Sequence, residues 1–594
     1  MPFDGLFAAA VAAELNRTLT DARIHKIQQP DARTLLLHCR QPGHNWRLLI
    51  SAEPGCARVH LTETQPPNPP HPPAFCMLLR KYLEPARILH VSTVGLDRIV
   101  RIVCEAVDGA GRRARLVLIA ELTGRHSNII LVEEATGRIL DALQRTAPQE
   151  RARRALVPGA TYEPPPVPPK RDPRRMGQAE VVRLLELQPA PQPVTRTIAD
   201  LFDGFGPFAA REVLLRAGLD PEVDHGRLAP SDRERVASAL LELAAAATEG
   251  RFQPVLVRDE AGTPVEFWAF PPLQAAARVE QCASPSAAAA AYYNHRLATL
   301  AFQREKQRLE RLVAAARARL ARKADNLRAD LKDAERAEEY RLYGELLTAN
   351  LHRVARGSSV TLPNYYAGEQ PIDIPLDPSL SPAENAQRYF KRYAKARAAR
   401  IAVQGQLDAT LAELAYLDQV ALHLDMADSL AGLAEIEAEL QSAGIATERT
   451  PPTASPLRSA AAESRDAAKP LEARTTGGAR VLIGRNNRQN ERLTLRTARP
   501  DDIWLHVKDL PGAHVILQPQ GEATDADLRE AAQLAAYFSK ARDSSNVAVD
   551  WTRVRNVRKP KGARPGMVIY DHHRTVYVSP DAQTVKALLA MSRR

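Results

Sequence analysis

Between residues 484 and 490 the chain reads Gly-Arg-Asn-Asn-Arg-Gln-Asn, so Arg485, Asn486, Asn487, Gln489 and Asn490 crowd guanidinium and amide groups into one short segment. A primary amide carries both donors and an acceptor, which suits this run to reading polar edges and, beside arginines, phosphates. Asp502-Ile503-Trp504-Leu505-His506 follows, then a Pro511-Gly512 turn. Trp504 and His506 lie two apart in a strand-like run, so they point to one face, where a nucleobase could stack. A half-buried strand with a core tryptophan, behind a turn of capping amides, fits the same residues.

Trp551 to Arg564 adds Arg553, Arg555, Arg558, Lys559, Lys561 and Arg564 with no acid among them. Solvated faces usually mix signs, and this one does not. Alternation of Arg553 and Arg555 with Val554 and Asn556 predicts a strand aiming both charges to one side. The Lys-Pro-Lys-Gly-Ala-Arg-Pro-Gly segment is too rich in proline and glycine for a helix, which places its cations on a loop. A basic loop beside an amide-and-aromatic surface is the footprint of a nucleic-acid binder.

Two further polar segments lie near the start. Gly95-Leu96-Asp97-Arg98 sets an acid beside a cation at a turn that feeds a strand. Glu121-Leu122-Thr123-Gly124-Arg125-His126-Ser127-Asn128 is a polar loop between apolar strands. A local ion pair and a hairpin turn with Gly124 at positive φ account for them equally well.

These residues need elements to hold them. A helix is expected over Leu6–Leu19, strands over 22–27, 34–39 and 47–51, a helix over Ala74–Leu83, and strands over 91–94, 99–106, 113–119 and 128–132. The pattern predicts an α+β domain, residues 1–160, with a twisted antiparallel sheet. Pro164–Arg175 reads as a stiff linker. Residues 176–280 are expected to be helical, with helices over 178–187 and 198–215. From Ser284 to 444, apolar residues at 320, 324, 327, 331 and 334, and again at 403, 407, 410, 414, 417 and 421, repeat at four-three spacing. Two such arms around a proline-containing insertion, Leu362–Asp377, predict an antiparallel coiled coil within one chain. An arm of about forty residues would reach about 60 Å. Residues 445–479 read as a flexible tether, and 480–594 as a second α+β module.

Composition narrows the classes. The 594 residues carry 81 Lys+Arg against 70 Asp+Glu, a net +11 that favours an anionic partner. The five cysteines form no Cys-x-x-Cys pair, which argues against a zinc ribbon or a disulfide framework. No run of eighteen apolar residues occurs, and the first residues have an acid where a signal peptide wants cations, so a soluble, cytoplasmic protein with no membrane partner is expected. With no P-loop, metal-ligand cluster or nucleophile elbow, no catalytic residue, cofactor or metal is assigned.

In order along the chain, the Gly-Arg-Asn-Asn, Gln-Asn and Leu-Thr run, then Asp-Ile-Trp-x-His, Pro-Gly-x-His ending at His514, and the Lys-Pro-x-Gly-x-x-Pro-Gly loop resemble the RNA-binding module of the NFACT family. Asp97-Arg98 and the loop over Glu121, Leu122, Thr123, Gly124, Arg125, His126 and Asn128 resemble the family's N-terminal surface that engages tRNA; Leu122 and Thr123 depart from its commoner Ile-Met. Phe205-Gly206-Pro207 with Arg216-Ala217-Gly218 resembles its helix-hairpin-helix element, and the first domain a glycosylase-like sheet domain. The resemblance implies a ribosome quality-control factor rather than an enzyme. Such a factor binds obstructed large subunits carrying peptidyl-tRNA, recruits alanyl-tRNA and directs untemplated C-terminal tailing of the stalled nascent chain for degradation, with a small RNA-binding accessory factor among its partners. In that role Arg98 and Arg125 would contact phosphates, and Asp97 or Glu121 base edges. Three other readings stand beside it. One is a general RNA-binding protein. Another is a DNA glycosylase-like enzyme using a Pro2 amine, against which Phe3 and the lack of a zinc finger count. The third is a surface adhesin, suggested by the family's old fibronectin-binding label.

Overall fold

The computed structural model describes residues 3–107, 112–147, 154–166, 170–188, 191–334, 337–445 and 469–592. They form two compact units, residues 1–299 and 300–594.

In the first unit, α1 (Gly5–Leu19) opens on Asp4, whose carboxylate accepts the Phe7 N–H at 2.8 Å. That bond satisfies one of the orphan donors of a helix start. Leu6, Phe7, Val11, Leu15 and Leu19 are fully buried against a nine-stranded antiparallel sheet. Its strands are β1 (Arg23–Asp31), β2 (Thr34–Gln41), β3 (His44–Ser51), β4 (Arg58–Leu61), β5 (Ala86–Thr93), β6 (Ile99–Val107), β7 (Arg113–Glu121), β8 (Asn128–Glu133) and β9 (Ile139–Ala142). They run in the order β4-β3-β2-β1-β5-β6-β7-β8-β9. The expected helix Ala74–Leu83 is present as α2. Along β7, Leu116 and Leu118 enter the main core while Val117 and Ile119 enter a second cluster with Ile99, Ile130 and Leu156. Successive side chains point to opposite faces, so a strand buried on both reads as one apolar run.

Helices α3 (Gln178–Glu186), α4 (Val194–Leu201), α5 (Pro207–Arg216) and α6 (Pro230–Thr248) follow. The single helix expected over 198–215 is two. Gly204 takes φ +89 and Pro207 starts the next helix, so the chain turns between them. A small sheet of β10 (Val255–Arg258), β11 (Pro264–Trp268) and β12 (Val279–Gln281) completes the unit. Trp268 donates its indole N–H to Asp4 at 2.9 Å, closing that sheet onto the start of α1.

Helix α7 (Pro285–Ala334) leads into the second unit. There it runs antiparallel to α9 (Pro382–Met426), with Ala324 and Leu327 against Leu407 and, further along, Leu309 and Val313 against Val420 and Leu424. Arg317 pairs with Asp418 across the seam. Ser381 and Glu384 form a reciprocal capping box at the start of α9, at 2.7 and 3.3 Å. The proline-containing insertion is a hairpin of β13 (Ser359–Asn364) and β14 (Gln370–Pro375), preceded by α8 (Ala337–Ala349). Helix α10 (Leu430–Ser442) folds back with Leu433, Ile436 and Leu440 in the coil's core.

Of the expected tether, residues 446–468 lie outside the described residues. Its end is not a tether: β15 (Leu471–Arg474) pairs with β16 (Arg480–Ile483), because Ala473 faces the core and the turn between is held by Thr475 and Asp527. The sheet continues with β17 (Ile503–Val507), β18 (Val515–Gln518), β19 (Val547–Arg553) and β22 (Arg574–Val578), in the order β15-β16-β18-β17-β19-β22. The helix Asp525–Tyr537 covers one face through Ala531, Leu534 and Ala535. A short pair, β20 (Val557–Arg558) and β21 (Ile569–Tyr570), frames the basic loop. The architecture is multidomain α+β.

Candidate nucleic-acid interfaces

The first candidate interface sits where β6 and β7 meet their loops. Ile99 pairs with Glu121, and the Leu122 N–H donates to the Arg98 carbonyl at 2.9 Å. The two polar segments, twenty-odd residues apart, therefore share one end of the sheet. Gly95 at φ +62 forms the turn, and the Asp97 carboxylate accepts the Arg98 N–H at 2.7 Å. Gly124 sits at φ +83, as a hairpin turn there requires, and the loop tightens into a single 3₁₀ turn closed by Ser127 on the Gly124 carbonyl at 2.8 Å.

The loop's residues divide by burial. Arg125 and His126 are exposed and Thr123 is half-buried. Glu121 is fully buried: it accepts from the Tyr162 hydroxyl at 2.8 Å and pairs with Arg154. Its oxygens are thereby committed to the protein rather than offered to a base edge. Leu122 is a core residue at 1% exposure, so its difference from isoleucine is a packing matter. Asn128 is buried as well, bonded to the Gln144 backbone through both its amide nitrogen and its oxygen. Beside the loop opens a cavity of about 560 Å³ lined by Thr123, Arg125, His126, Gln144 and Arg154 among others. Gln144 and Arg154 escaped the sequence reading. Arg154 belongs to a local arginine run at 151–154, the one signal that pointed to it.

The second candidate interface is the C-terminal module, and here the amide run has a different placement from the one expected. Asn486 caps the helix Asn487–Arg492 by accepting the Gln489 N–H at 2.8 Å. Asn486 and Gln489 both donate to Glu435, the latter at 2.7 Å, and Asn487 donates to Glu439 at 2.8 Å. Arg485 pairs with Asp428, while Asn490 is fully buried and accepts the His514 N–H at 3.2 Å. These groups fasten the module to α10 and its approach, so the acceptors they read belong to the same chain. Gly512 and Gln419 exchange backbone and amide hydrogen bonds, and Arg542 pairs with Asp425, extending the clamp to α9. Gly566, at φ +78, packs so closely that a Cβ would meet the Asn487 amide oxygen at 2.7 Å.

Asp502 is buried and accepts from the Arg499 N–H and the Gln518 amide at 2.9 and 2.8 Å. Trp504 and His506 do share a face, stacked at 5.6 Å with 11° between planes. His514 meets the Trp504 edge at 5.3 Å and bonds Thr494 at 2.8 Å. Burial holds both imidazoles below their ordinary pKa, so they are neutral near pH 7.

The cationic stripe is present, and acids from elsewhere in the chain meet it. Arg553 ends β19 and Arg555 sits in a 3₁₀ turn, yet both reach one carboxylate, Asp501. Arg558 pairs with Asp571 at 3.1 Å and Lys559 with Glu491 at 2.7 Å. Arg564 pairs with Glu413 at 3.0 Å and lies over the Tyr416 ring at 4.8 Å. Lys561 is exposed on the loop. Among the described residues no group of three or more His, Cys, Asp or Glu could hold a metal, and no helix is long and apolar enough to cross a membrane. Asp4, the acid nearest the chain start, is buried under its bonds to Phe7 and Trp268, and burial raises its pKa to about 6. Pro2 lies outside the described residues.

A sheet domain with a cationic loop, a long coil and a sheet module carrying a cationic stripe define a multidomain α+β protein of the kind built on an RNA-binding module. The family model described as NFACT N-terminal and middle domains matches residues 4–454, and that of the NFACT protein RNA binding domain matches residues 469–571. The chain belongs to the NFACT family, in its ribosome quality-control branch. It is 38% identical to the Rqc2 homolog RqcH of Bacillus subtilis, over 98% of this chain and 99% of that one. A shorter match, 33% identity over 16% of this chain and 9% of the other, is to the human ribosome quality control complex subunit NEMF. Among solved structures, the C-terminal part of the fibronectin/fibrinogen-binding protein of Streptococcus suis is 30% identical and covers 48% of this chain and 98% of its own, with a TM-score of 0.39.

Proposed function

We propose that this protein binds large ribosomal subunits still holding peptidyl-tRNA, recruits charged tRNA, alanyl-tRNA first, and directs untemplated C-terminal extension of the stalled chain for degradation. The observation that carries the tRNA part is the hydrogen bond from Leu122 to Arg98, which sets Asp97 and Arg98 at the same end of the sheet as Arg125 and His126, the latter two lining a cavity. Cations there suit phosphates, and the half-buried Thr123 and Asp97 suit base or ribose groups. Bond formation belongs to the ribosome's own RNA; this chain contributes position, and positioning alone can supply much of a reaction's acceleration. No cofactor enters. The α4–α5 turn, with backbone N–H groups at the start of α5, serves as a helix-hairpin-helix for a further phosphate. The coil reaches a second ribosomal contact, and the stripe from Arg553 to Lys561 holds RNA backbone. A cytoplasmic location and a small RNA-binding accessory factor go with this reading.

The test is to recover the tagged full chain from cells with obstructed translation and sequence its RNA. Large-subunit rRNA with enriched alanine tRNA is expected. A broad mixture of RNAs without subunits would favour a general RNA-binding protein. Nicking of abasic DNA by the purified chain would turn attention to a glycosylase, and recovery at the cell surface to an adhesin.

A further inference from the structure

Within the second unit a cavity of about 530 Å³ opens between the base of α9 and the sheet module. Its volume falls within the range of about 300–1,000 Å³ usual for small-ligand sites. Tyr416, Trp504, His506, His514, Lys540 and Tyr570 line it. Four of these rings already touch one another around Trp504: His506 stacked, His514 edge-on at 5.3 Å and Tyr570 tilted at 4.8 Å. Trp504 is 1% exposed, yet its indole N–H has no hydrogen-bond partner. An unmet buried donor is a standing penalty, and a small rotation of the ring toward an acceptor in the cavity would relieve it.

The chemistry of the walls narrows the acceptor. The two imidazoles are neutral, and His514 already bonds Thr494 through Nδ1, so this wall matches a neutral heteroaromatic ring better than a bare anion. His506 and Tyr570, the rings of this wall that are only half-buried, suit a flat partner, since stacking on aromatic side chains tolerates any base. Lys540 supplies a single cation, suited to one phosphate. Asp509 on the rim and Asp418 on the coil side repel further phosphates, while Asp509 can accept from ribose hydroxyls. Asp418 is already paired with Arg317. Apolar Leu510, Pro511 and Met567 complete the mouth.

We propose that this cavity is a nucleobase pocket that takes one unstacked nucleotide between the coil base and the sheet module. The base comes either from a free ribonucleotide or from an extruded position in RNA. Only the second source rests on the RNA-binding reading given above.

The full chain is titrated with the four ribonucleoside 5′-monophosphates, and with two short RNA hairpins that differ only in one bulged base. Binding is followed by calorimetry and by quenching of tryptophan fluorescence. Saturable one-to-one binding of at least one of these probes is expected. Leu510→Trp, at a rim position 41% exposed, fills the mouth without touching the core and should weaken binding at least tenfold. Trp504→Phe keeps a ring and removes the unmet donor, and should weaken it about fivefold with the fold intact by circular dichroism. Tighter binding of the bulged hairpin than of its bulge-free partner assigns the base to RNA. Equal hairpins with tighter monophosphates assign it to a free nucleotide. Arg555→Glu should leave monophosphate affinity unchanged while lowering ribosome recovery, which separates this site from the stripe. No binding of any probe, or binding indifferent to Leu510→Trp, overturns the pocket while leaving ribosome association as a separate result.

Discussion

The side-chain amide of Asn487 donates to the buried carboxylate of Glu439 at 2.8 Å, and the Tyr416 hydroxyl donates to the same oxygen at 2.8 Å. Three segments, the amide run, α9 and α10, thus converge on one acid whose pKa burial has raised. Asn487→Ala removes one of its donors. A loss of about 1–3 kcal/mol from the second unit is expected, the range for a buried polar group left short of a partner. Limited proteolysis should show cleavage near residue 445 at lower temperature than in the parent. An unchanged unfolding midpoint would mean that the clamp contributes nothing.

The packing of the sheet module on α9 also makes stability depend on pH. His423 on α9 is fully buried and its pKa falls to about 3, and burial lowers His506 and His514 as well. A histidine whose folded pKa lies below its unfolded value of about 6.5 binds protons more readily unfolded, so its contribution is complete above about 6.5 and is lost as the pH falls. Each imidazole costs up to about 1.4 kcal/mol per pH unit in that window. Asp550 beside His506 works against the loss, and so does Glu439, whose raised pKa favours the folded state at low pH. With three imidazoles against one carboxyl, the midpoint of the second unit should fall between pH 7 and pH 5. His423→Gln should remove part of that slope. A midpoint flat in pH would refute this assignment.

Much of the fold could be read in advance, and the clamp could not, for a physical reason. The heptad positions of α7 and α9, Leu327 and Leu407 among them, pack as their spacing predicts, because a 3.5-residue period is a property of each helix alone. The β6–β8 meander follows the apolar runs for the same cause. Asn486, Asn487 and Gln489 were legible as hydrogen-bonding groups, but their acceptors lie about fifty residues upstream on α10, and a donor's residue type does not name its acceptor. The acid-free stripe is likewise acid-free only in sequence. Asp501, Glu491, Asp571 and Glu413 reach it from other elements.

That neutralisation yields a prediction with an uncommon sign. Arg553 and Arg555 share Asp501, and all three side chains are more than half exposed. Asp501→Asn leaves the fold untouched within about 0.5 kcal/mol, as exposed pairs do. It should tighten RNA or subunit binding and steepen its salt dependence by roughly one unit of slope for each phosphate newly neutralised. Reversing Arg555, Arg558 and Lys561 together should do the opposite. If neither change moves the salt slope, the stripe is merely solvated.

At the N-terminal edge, burial separates binding variants from folding variants. Arg125→Ala alters an exposed side chain and should lower tRNA recovery at an unchanged melting temperature. Asp97→Ala with Arg98→Ala should likewise abolish tRNA recovery with the unit still folded, because both sit on a turn, at the small cost of the Asp97 bond to the Arg98 N–H. Glu121→Ala is a different experiment. It strips the partly buried Arg154 of its carboxylate and the Tyr162 hydroxyl of its acceptor, and breaking such a pair from one side costs up to about 3–5 kcal/mol. Its loss of tRNA should therefore track unfolding of the first unit and recover as temperature is lowered. Arg125→Ala should show no such recovery. If Glu121→Ala were fully folded and still lost tRNA, its carboxylate would be reading the nucleic acid after all, and the loop would have to open to let it.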